Sequence, residues 1–401
     1  MAPPEPLRLV VVGNGMVGHR LLTELADRGT LTHLEVTVIG EERRPAYDRV
    51  GLSRFFEGAT AEDLSLVDDG FFAAHGIEVV LGDPVDHLDR PARTVATRSG
   101  RVLPYDRLVL ATGSAPFVPP VDGADGPGCF VYRTIDDLEA IAAAAAEAPN
   151  RRGVVVGGGL LGLEAANALR NLGLETHVVE FAPRLMPAQL DEGGGRTLRA
   201  LVEGLGVGVH TDARTSAIVS DGPRPVELRF DGDDPLPADV VVFSAGIRPR
   251  DELARTCGLE VGERGGVVVD DRLTTADPAV LAIGECALAA GRVWGLVAPG
   301  YQMARVVAAN LAAEVEGAAL AERFVPSDLS TKLKLLGVGV ANVGTVGADP
   351  DAHSLVWEDP RRGEYRRLDV DADGRVLAAV LVSIIGIIQK IVLRRMGMRT
   401  A

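Results

Sequence analysis

Short apolar runs alternate with helical patterns along most of the chain. The apolar run LRLVVV is followed by a glycine-containing loop, the helical pattern MVGHRLLTEL and a second apolar run in EVTVIGEE. The same order returns in GVVVG, a second glycine-containing loop, a helical pattern with Ala165, Ala166 and Leu169, and the run ETHVVE. A strand, a helix and a second strand in this order predict a βαβ motif with parallel strands. The pattern therefore predicts an α/β fold with two such motifs.

The last eighty or so residues follow a different pattern. From about Ala321 apolar and polar positions alternate, in FVPSDLSTKLKLLGVGVANVGTV, SLVWEDP and EYRRLDVDADGRVLAAVLV. Alternation with a DADG turn is typical of strands joined in hairpins. The apolar run at residues 376–388 is shorter than the roughly 20 residues that span a bilayer. We therefore expect a small C-terminal domain with a buried strand, and no membrane span.

Each βαβ motif carries three glycines between its first strand and its helix. They are Gly13, Gly15 and Gly18 in the first motif and Gly157, Gly159 and Gly162 in the second. A tight turn, close approach to a pyrophosphate and close helix packing each favour glycine, and the pyrophosphate binds N–H groups at the helix N-terminus. An acid, Glu41 or Glu180, ends each second strand, where a carboxylate accepts the hydroxyls of an adenosine ribose. The sequence thus predicts two dinucleotide sites.

Other predicted strands end in residues suited to a nucleotide site. YDRLVLATG ends in Ala111, Thr112 and Gly113, and ADVVVFSAG ends in Gly246. Small residues at a strand end let the backbone approach a bound nucleotide. A further apolar strand, AVLAIGECA, meets an acid at Glu285.

Composition and charge narrow the possible function classes. A length of 401 residues suggests two or three domains, and 47 glycines with few aromatic residues indicate an aliphatic core. The net charge of −15 disfavours nucleic-acid binding, because phosphates would be repelled. The N-terminus does not have the pattern of a signal peptide. The three cysteines, Cys129, Cys257 and Cys286, form no CxxC pair, so we expect unpaired thiols in a reducing cytoplasm and no metal site.

The layout resembles that of the two-dinucleotide flavoprotein reductases related to glutathione reductase. More narrowly, RRPAYDRVGLSRFF, LVAPGYQMA and STKLKLLGVGVANVG resemble the amino-terminal FAD- and NAD(P)H-binding module of the large subunit of assimilatory NADH-dependent nitrite reductase. The resemblance implies two Rossmann-like dinucleotide-binding domains and a small α+β C-terminal domain. Its implied boundaries are residues 1–115 and 246–320 for the FAD-binding domain, residues 116–245 for the NADH-binding domain and residues 321–401 for the C-terminal interface domain.

The resemblance also implies roles for residues around the FAD. The glycines of the first loop would bind its pyrophosphate and Glu41 its ribose. The residues implied near the flavin end are Arg49, Arg54, Arg133, Glu285 at the ribityl hydroxyls, and Ala298 in the segment whose backbone N–H faces the pyrimidine. Related ferredoxin and rubredoxin reductases usually carry Lys where this chain has Arg54. The charge is preserved there, but a guanidinium presents a planar fork of donors where an ammonium is a point donor.

For the second motif the resemblance implies NADH. The second glycine loop would hold its pyrophosphate and Glu180 its adenosine ribose. A carboxylate at this position favours NADH over NADPH, because the 2′-phosphate would meet a like charge, although Arg184 weakens that preference. Glu164 resembles a family acid near the nicotinamide, and it fits equally well as a residue that stabilises the start of its helix.

Missing cysteines exclude two routes for the electrons. Disulfide reductases of this layout carry CxxxxC beside the flavin, and peroxidases and coenzyme A disulfide reductases carry one cysteine near the position of Val50. The cysteine ligands of the iron–sulfur and sirohaem centres of full nitrite reductases are also missing. We therefore expect an FAD-dependent NADH oxidoreductase that passes electrons to a separate ferredoxin, rubredoxin or nitrite-reductase-type partner. No side chain is expected to act as an acid or base, because positioning supplies most of what hydride transfer needs.

Two other functions stay open from the sequence: direct action on a small molecule or oxygen, and a redox-sensing NADH- and FAD-binding protein. Lys332 and Lys334 fit either a docking site for an acidic partner or solvated surface charges. The end, SIIGIIQKIVLRRMGMRTA, departs from the family. It predicts an amphipathic helix with Arg394, Arg395 and Arg399 that docks on a partner or a second subunit, so a homo-oligomer is also open.

Overall fold

The computed structural model describes residues 5–222, 224–232, 234–326, 331–335 and 338–383. The chain forms two compact units. Unit 1 consists of residues 1–52, 59–115 and 247–327, and unit 2 consists of residues 53–58, 116–246 and 328–401. Each unit contains one glycine loop and one five-stranded parallel sheet.

The sheet of unit 1 carries the first glycine loop. In spatial order its strands are Val280–Ala282, Arg107–Leu110, Leu7–Val12, Leu34–Gly40 and Glu78–Leu81, all parallel. The central strands are runs of Val, Leu and Ile buried on both faces, as in parallel sheets that are covered by helices. Two long helices, Met16–Asp27 and Val297–Val315, pack against each other.

Smaller elements complete unit 1. Its short helices are Thr30–His33, Phe71–Ala74, Glu252–Thr256 and Gly284–Cys286. One antiparallel sheet consists of Val85–Asp89, Thr94–Thr97 and Val102–Pro104, and another small sheet consists of Val267–Val268, Ala287–Ala289 and Arg292–Val293. The short strands Ser114–Pro116 and Ile247–Pro249 lie where the chain leaves and re-enters the unit.

The parallel sheet of unit 2 repeats the architecture around the second glycine loop. In spatial order its strands are Val207–His210, Glu175–Val179, Arg152–Val156, Val240–Phe243 and Cys129–Val131. Its helices are Ile135–Glu147, Leu160–Asn171 and Glu192–Gly204. An antiparallel sheet of Thr215–Asp221, Arg224–Phe230 and Leu236–Pro237 contributes Ile218 and Leu228 to the core of this unit. The short helix Leu52–Glu57 spans a boundary between the units.

The C-terminal part of unit 2 forms a separate antiparallel sheet. Its strands, in spatial order, are Thr331–Leu335, Val338–Val343, Val376–Ser383, Glu364–Val370 and His353–Asp359. The sheet packs on the start of helix Glu192–Gly204, where the Tyr365 hydroxyl donates to Asp191 at 2.5 Å and Arg367 donates to the same carboxylate at 3.0 Å. A Cβ on Gly193 would lie 2.4 Å from the Tyr365 ring, so glycine is required for this contact.

The predicted α/β class and the two strand–loop–helix–strand motifs are confirmed. The hairpin at DADG is also confirmed, because strands Glu364–Val370 and Val376–Ser383 pair antiparallel on either side of it. Among the described residues, no helix is both long and apolar enough to cross a bilayer. The predicted C-terminal helix with Arg394, Arg395 and Arg399 and the side chains of Lys332 and Lys334 lie outside the described part of the structure. The three domain boundaries stay predictions.

The contact between Tyr365 and Asp191 predicts a measurable loss of stability on removal of one hydroxyl. The variant Tyr365→Phe leaves an oxygen of a partly buried carboxylate short of one donor, which typically costs about 1–2 kcal/mol. The measurement is denaturant unfolding followed by circular dichroism. Tyr301→Phe, which removes a hydroxyl in unit 1, is the control and should change the midpoint far less. Equal midpoints for wild type and Tyr365→Phe would contradict the prediction.

Candidate functional site

The first glycine loop is shaped by close backbone contacts. Gly13 has φ +118°, and a Cβ there would lie 2.1 Å from the Ala111 carbonyl oxygen. A Cβ on Gly18 would lie 2.1 Å from the carbonyl oxygen of Gly13. A Cβ on Gly15 would meet open space, so this glycine leaves room for something outside the protein backbone. The first and third glycines are thus needed for packing, and the second borders the space that a pyrophosphate would fill.

The second glycine loop repeats this geometry in unit 2. Gly157 has φ +121°, and its Cβ would lie 2.3 Å from the Ser244 carbonyl oxygen. The Cβ of Gly162 would lie 1.9 Å from the carbonyl oxygen of Gly157, whereas that of Gly159 would meet open space. Gly246, with φ +112°, lies three residues after strand Val240–Phe243. The two loops therefore present equivalent openings at the carboxyl ends of their sheets.

The long helices of the described residues divide by how they begin. Five helices have twelve or more residues. Helix Ile135–Glu147 starts with a capping box of Thr134 and Asp137, and helix Glu192–Gly204 is capped by Asp191. The other three, Met16–Asp27, Leu160–Asn171 and Val297–Val315, have no side-chain cap and no acid in the first turn.

The uncapped helices are those that begin at a predicted cofactor site. Their first N–H groups have no side-chain acceptor, and the helix dipole adds positive potential there. A pyrophosphate or a reduced flavin ring would provide the missing negative charge. The residues that are present therefore fit FAD in unit 1 and a dinucleotide in unit 2.

Residues from three segments meet at the carboxyl end of the sheet in unit 1. The Ser114 hydroxyl donates to Glu285 at 2.6 Å, which places this predicted flavin ligand beside residues Ala111, Thr112 and Gly113. Ala298 is exposed in the first turn of helix Val297–Val315. That helix lies close to the glycine loop, because a Cβ on Gly300 would be 2.6 Å from the Val17 side chain.

Two acids directly after strand Leu34–Gly40 each form an ion pair with an arginine. Glu41 is paired with Arg250, and Glu42 is paired with Arg49. Glu42 also accepts the Tyr47 hydroxyl at 2.6 Å, and the Arg49 guanidinium lies 4.9 Å from the centre of the Tyr47 ring. Sequence reasoning missed Arg250 and Glu42 as site residues. No spacing rule links Arg250 to Glu41, since they are 209 residues apart.

In unit 2 the carboxylate of Glu180 is held by backbone. Its two oxygens accept the N–H groups of Gly158 and Ala182, each at 2.7 Å. Arg184, which the sequence left as a potential phosphate ligand, donates instead to the Leu190 carbonyl oxygen at 2.9 Å. Glu180 is therefore oriented at the edge of the second loop before any nucleotide binds.

Other predicted flavin and nicotinamide residues also belong to unit 2. Arg54 is exposed in helix Leu52–Glu57, and the backbone N–H of Arg133 donates to Asp137 at 3.1 Å. Glu164 lies inside helix Leu160–Asn171, and burial raises its pKa to about 7. Burial and the nearby Glu164 also raise the pKa of Tyr132. The roles of all the predicted cofactor-binding residues stay predictions.

The cysteines are poorly placed for thiol chemistry. All three are unpaired, and Cys286 is fully buried. Burial raises the pKa of Cys129 to about 11, and it also raises the pKa values of Cys257 and Cys286. A thiolate is the reactive form of cysteine, so none of the three is activated. Val50, where thiol-dependent branches carry their cysteine, is 62% exposed.

Comparison with known proteins assigns the family. Residues 7–312 match the family model described as pyridine nucleotide-disulphide oxidoreductase. The chain belongs to this family. As in other members, its cofactors are FAD and a nicotinamide nucleotide, and it is an oxidoreductase.

The relatives include both long and short reductases. The nitrite reductase [NAD(P)H] large subunit of Klebsiella oxytoca is 54% identical over 376 residues, which are 93% of this chain and 38% of that protein. The ferredoxin–NAD(+) reductase component of the biphenyl dioxygenase system of Paraburkholderia xenovorans (strain LB400) is 31% identical over 379 residues, 94% of this chain and 90% of that protein. This chain thus spans less than half the length of the nitrite reductases that it matches.

A solved structure shows the same fold. The covalent putidaredoxin reductase–putidaredoxin complex has a TM-score of 0.82 and 27% identity, and the match covers 94% of this chain and 90% of that one.

The loop geometry predicts opposite effects for two glycine substitutions. Gly13→Ala places a Cβ against the Ala111 carbonyl at a positive φ and should cost roughly 2–4 kcal/mol of unfolding free energy. Gly15→Ala faces open space at φ −98°, so it should unfold near the wild-type midpoint and bind FAD more weakly. Thermal unfolding of the apoprotein and a flavin fluorescence titration measure the two effects. A stable Gly13→Ala variant would contradict this reading of the loop.

The raised pKa of Glu164 predicts a pH-dependent stability difference. In the folded state the carboxyl keeps its proton up to about pH 7, whereas in the unfolded chain it ionises at its ordinary value. The stability that wild type gains from the protonated form is therefore present at low pH and is lost as the pH rises through 7. Glu164→Gln, which cannot ionise, should be more stable than wild type at pH 8 by about 3 kcal/mol.

The control for this prediction is the pH series itself. The difference between Glu164→Gln and wild type in chemical denaturation should shrink steadily between pH 7.5 and pH 5. A difference that is constant over this range would mean that the substitution acts through packing and not through ionisation.

Proposed function

We propose that this chain is an FAD-dependent NADH oxidoreductase that passes electrons from NADH through FAD to a separate redox protein. The acceptor class that we favour is a ferredoxin, a rubredoxin or a nitrite-reductase-type partner. Two kinds of relative support it: nitrite reductase large subunits, and ferredoxin–NAD(+) reductase components of similar length to this chain. Residues 1–401 contain no cysteine cluster of the kind that binds an iron–sulfur or sirohaem centre, so in this proposal such a centre lies outside these residues.

The observation that carries the proposal is the duplicated loop geometry. Both loops have one glycine that faces open space, an uncapped helix behind it and a carboxylate at the end of the next strand. One protein with two such sites can bind an electron donor and a resident flavin at the same time. The inactive cysteines leave no thiol relay to receive the electrons, which favours an external acceptor.

In this proposal the residues of unit 1 hold the flavin nucleotide. Gly15 and the start of helix Met16–Asp27 face its pyrophosphate, and Glu41 binds its ribose. Glu285, fixed by Ser114, orients the ribityl chain, while the N–H groups near Ala298 stabilise negative charge on the ring. When bound, FAD accepts a hydride from NADH and passes electrons on singly.

In unit 2 the residues favour NADH over NADPH. Glu180 offers its oxygens to the ribose hydroxyls while two backbone N–H groups hold it in place. A 2′-phosphate would meet the like charge of this carboxylate, and the nearby Arg184 is turned to the Leu190 carbonyl oxygen, to which its Nε–H donates. Burial raises the pKa of Glu164 to about 7, so near neutral pH this carboxyl carries less negative charge than an ordinary glutamate does.

The unpaired cysteines are consistent with the cytoplasm, which we propose as the location.

Rapid mixing under anaerobic conditions tests the function. NADH should bleach the flavin absorbance of the holoprotein quickly, and NADPH should do so more slowly at equal concentration. One of ferredoxin, rubredoxin or a nitrite reductase partner should then reoxidise the flavin faster than nitrite or oxygen does. Reoxidation by oxygen or a small molecule alone would overturn the electron-carrier proposal, and slow bleaching with a long-lived reduced complex would indicate a redox sensor.

The variant Glu180→Gln tests whether Glu180 sets the preference for NADH over NADPH. It keeps the size of the side chain, removes the charge and replaces one of the two acceptor oxygens with an NH2 group. Its preference for NADH over NADPH should fall by about tenfold, because repulsion of the 2′-phosphate is relieved. An unchanged preference would show that Glu180 does not select the nucleotide.

A further inference from the structure

Arg250 is fixed at one side of the nucleotide crevice in unit 1. Its backbone N–H donates to the carbonyl oxygen of Gly113 at 2.9 Å, and its carbonyl oxygen accepts the hydroxyl of Thr112 at 2.6 Å. Thr112 and Gly113 follow strand Arg107–Leu110, so the backbone of Arg250 lies at the carboxyl end of that strand.

The Arg250 side chain reaches the other side of the crevice. Its guanidinium pairs with Glu41, at the carboxyl end of strand Leu34–Gly40. Strand Leu7–Val12 lies between the two strands and leads into the glycine loop. Neighbouring strands are about 4.8 Å apart, so the two side chains of the ion pair together span a gap of roughly 10 Å between the outer strands. This is the edge of a parallel sheet where nucleotides bind.

The ion pair between Arg250 and Glu41 is expected to contribute little to the stability of the fold. The side chains of Arg250 and Glu41 are 40% and 47% exposed, and pairs this exposed contribute little to folding. A bound adenosine ribose and pyrophosphate would place several oxygens beside the guanidinium, where its planar fork of donors forms charge-assisted hydrogen bonds.

The equivalent acid in unit 2 has a different environment. Glu180 is held by the backbone N–H groups of Gly158 and Ala182, and the nearby Arg184 donates to Leu190. Glu41 is therefore paired with an arginine from across its crevice, whereas Glu180 accepts two backbone N–H groups.

We propose that Arg250 is a clasp that retains FAD by closing over its adenosine end, and that the open Glu180 site lets the nicotinamide nucleotide exchange. The inference rests on the proposed function, because it assigns FAD to unit 1. Arg250 is a binding and positioning residue here and takes no part in electron transfer.

The test compares FAD release and adenosine-end binding in matched variants. Release is followed as the rise in flavin fluorescence after dilution of the holoprotein. Apoprotein is titrated calorimetrically with ADP, which carries only the adenosine end, and with FMN, which lacks it. The variants are Arg250→Ala and Arg250→Lys, with Arg264→Ala as control, because Arg264 is an exposed arginine of the same unit.

The clasp predicts a specific set of results. Arg250→Ala should release FAD about tenfold faster and bind ADP about tenfold more weakly, which corresponds to the loss of about one charge-assisted interaction. FMN affinity and the apoprotein unfolding midpoint should stay at the wild-type values. Arg250→Lys should fall between wild type and Arg250→Ala, and Arg264→Ala should behave as wild type.

Several outcomes would overturn the inference. Equal FAD release from Arg250→Ala and Arg264→Ala, or an equal loss of FMN and ADP affinity, would show that Arg250 does not act at the adenosine end, while the proposed function would stand. A wild-type apoprotein that binds neither FAD nor ADP would instead remove the proposed function itself.

Discussion

The fold of both units depends on a backbone contact that only glycine allows. Gly13 lies against the carbonyl of Ala111, and Gly157 lies against the carbonyl of Ser244, each at a positive φ. A Cβ would overlap these carbonyls. Because glycine has none, the end of the first strand can lie directly against the end of the neighbouring strand. A second glycine in each loop, Gly18 or Gly162, lets the helix pack closely against the loop. The opening beside Gly15 or Gly159 is the space that this packing leaves free, so the predicted nucleotide site follows from how the strands and the helix pack.

Helix capping separates the structural role of a helix from its binding role. Before helices Ile135–Glu147 and Glu192–Gly204, the N-cap residues Thr134 and Asp191 each accept one of the first N–H groups, and both helices have an acid in the first turn, which makes their starts less attractive to an external anion. The helices that start at Met16, Leu160 and Val297 have neither a side-chain cap nor an acid in the first turn, so their starts attract an external anion more strongly. The same distinction explains why Asp191 can serve a second purpose, as the acceptor for Tyr365 and Arg367 of the C-terminal sheet.

Patterns of short range in the sequence predicted most of the fold and part of the site. The glycine spacing, the acids at strand ends and the apolar runs depend on neighbours within about thirty residues, and βαβ motifs are local structures. The contacts between Arg250 and Glu41 and between Tyr365 and Asp191 join residues 209 and 174 positions apart, which no local pattern encodes. The raised pKa of Glu164 depends on how deeply its helix is buried, which periodicity alone does not determine. Ser114, whose hydroxyl donates to Glu285, could have been predicted from the sequence, because it directly follows the predicted site residue Gly113.

Two sites with the same loop can therefore release their nucleotides at different rates. A resident cofactor needs slow dissociation, whereas an electron donor has to leave after each turnover, and the loop and the uncapped helix are common to both sites. What differs is the surroundings of the acid. Glu41 pairs with a guanidinium anchored across the crevice, and Glu180 accepts the backbone N–H groups of Gly158 and Ala182. A duplicated motif can thus acquire opposite exchange behaviour through residues outside the motif, which is where differences between related reductases are best sought.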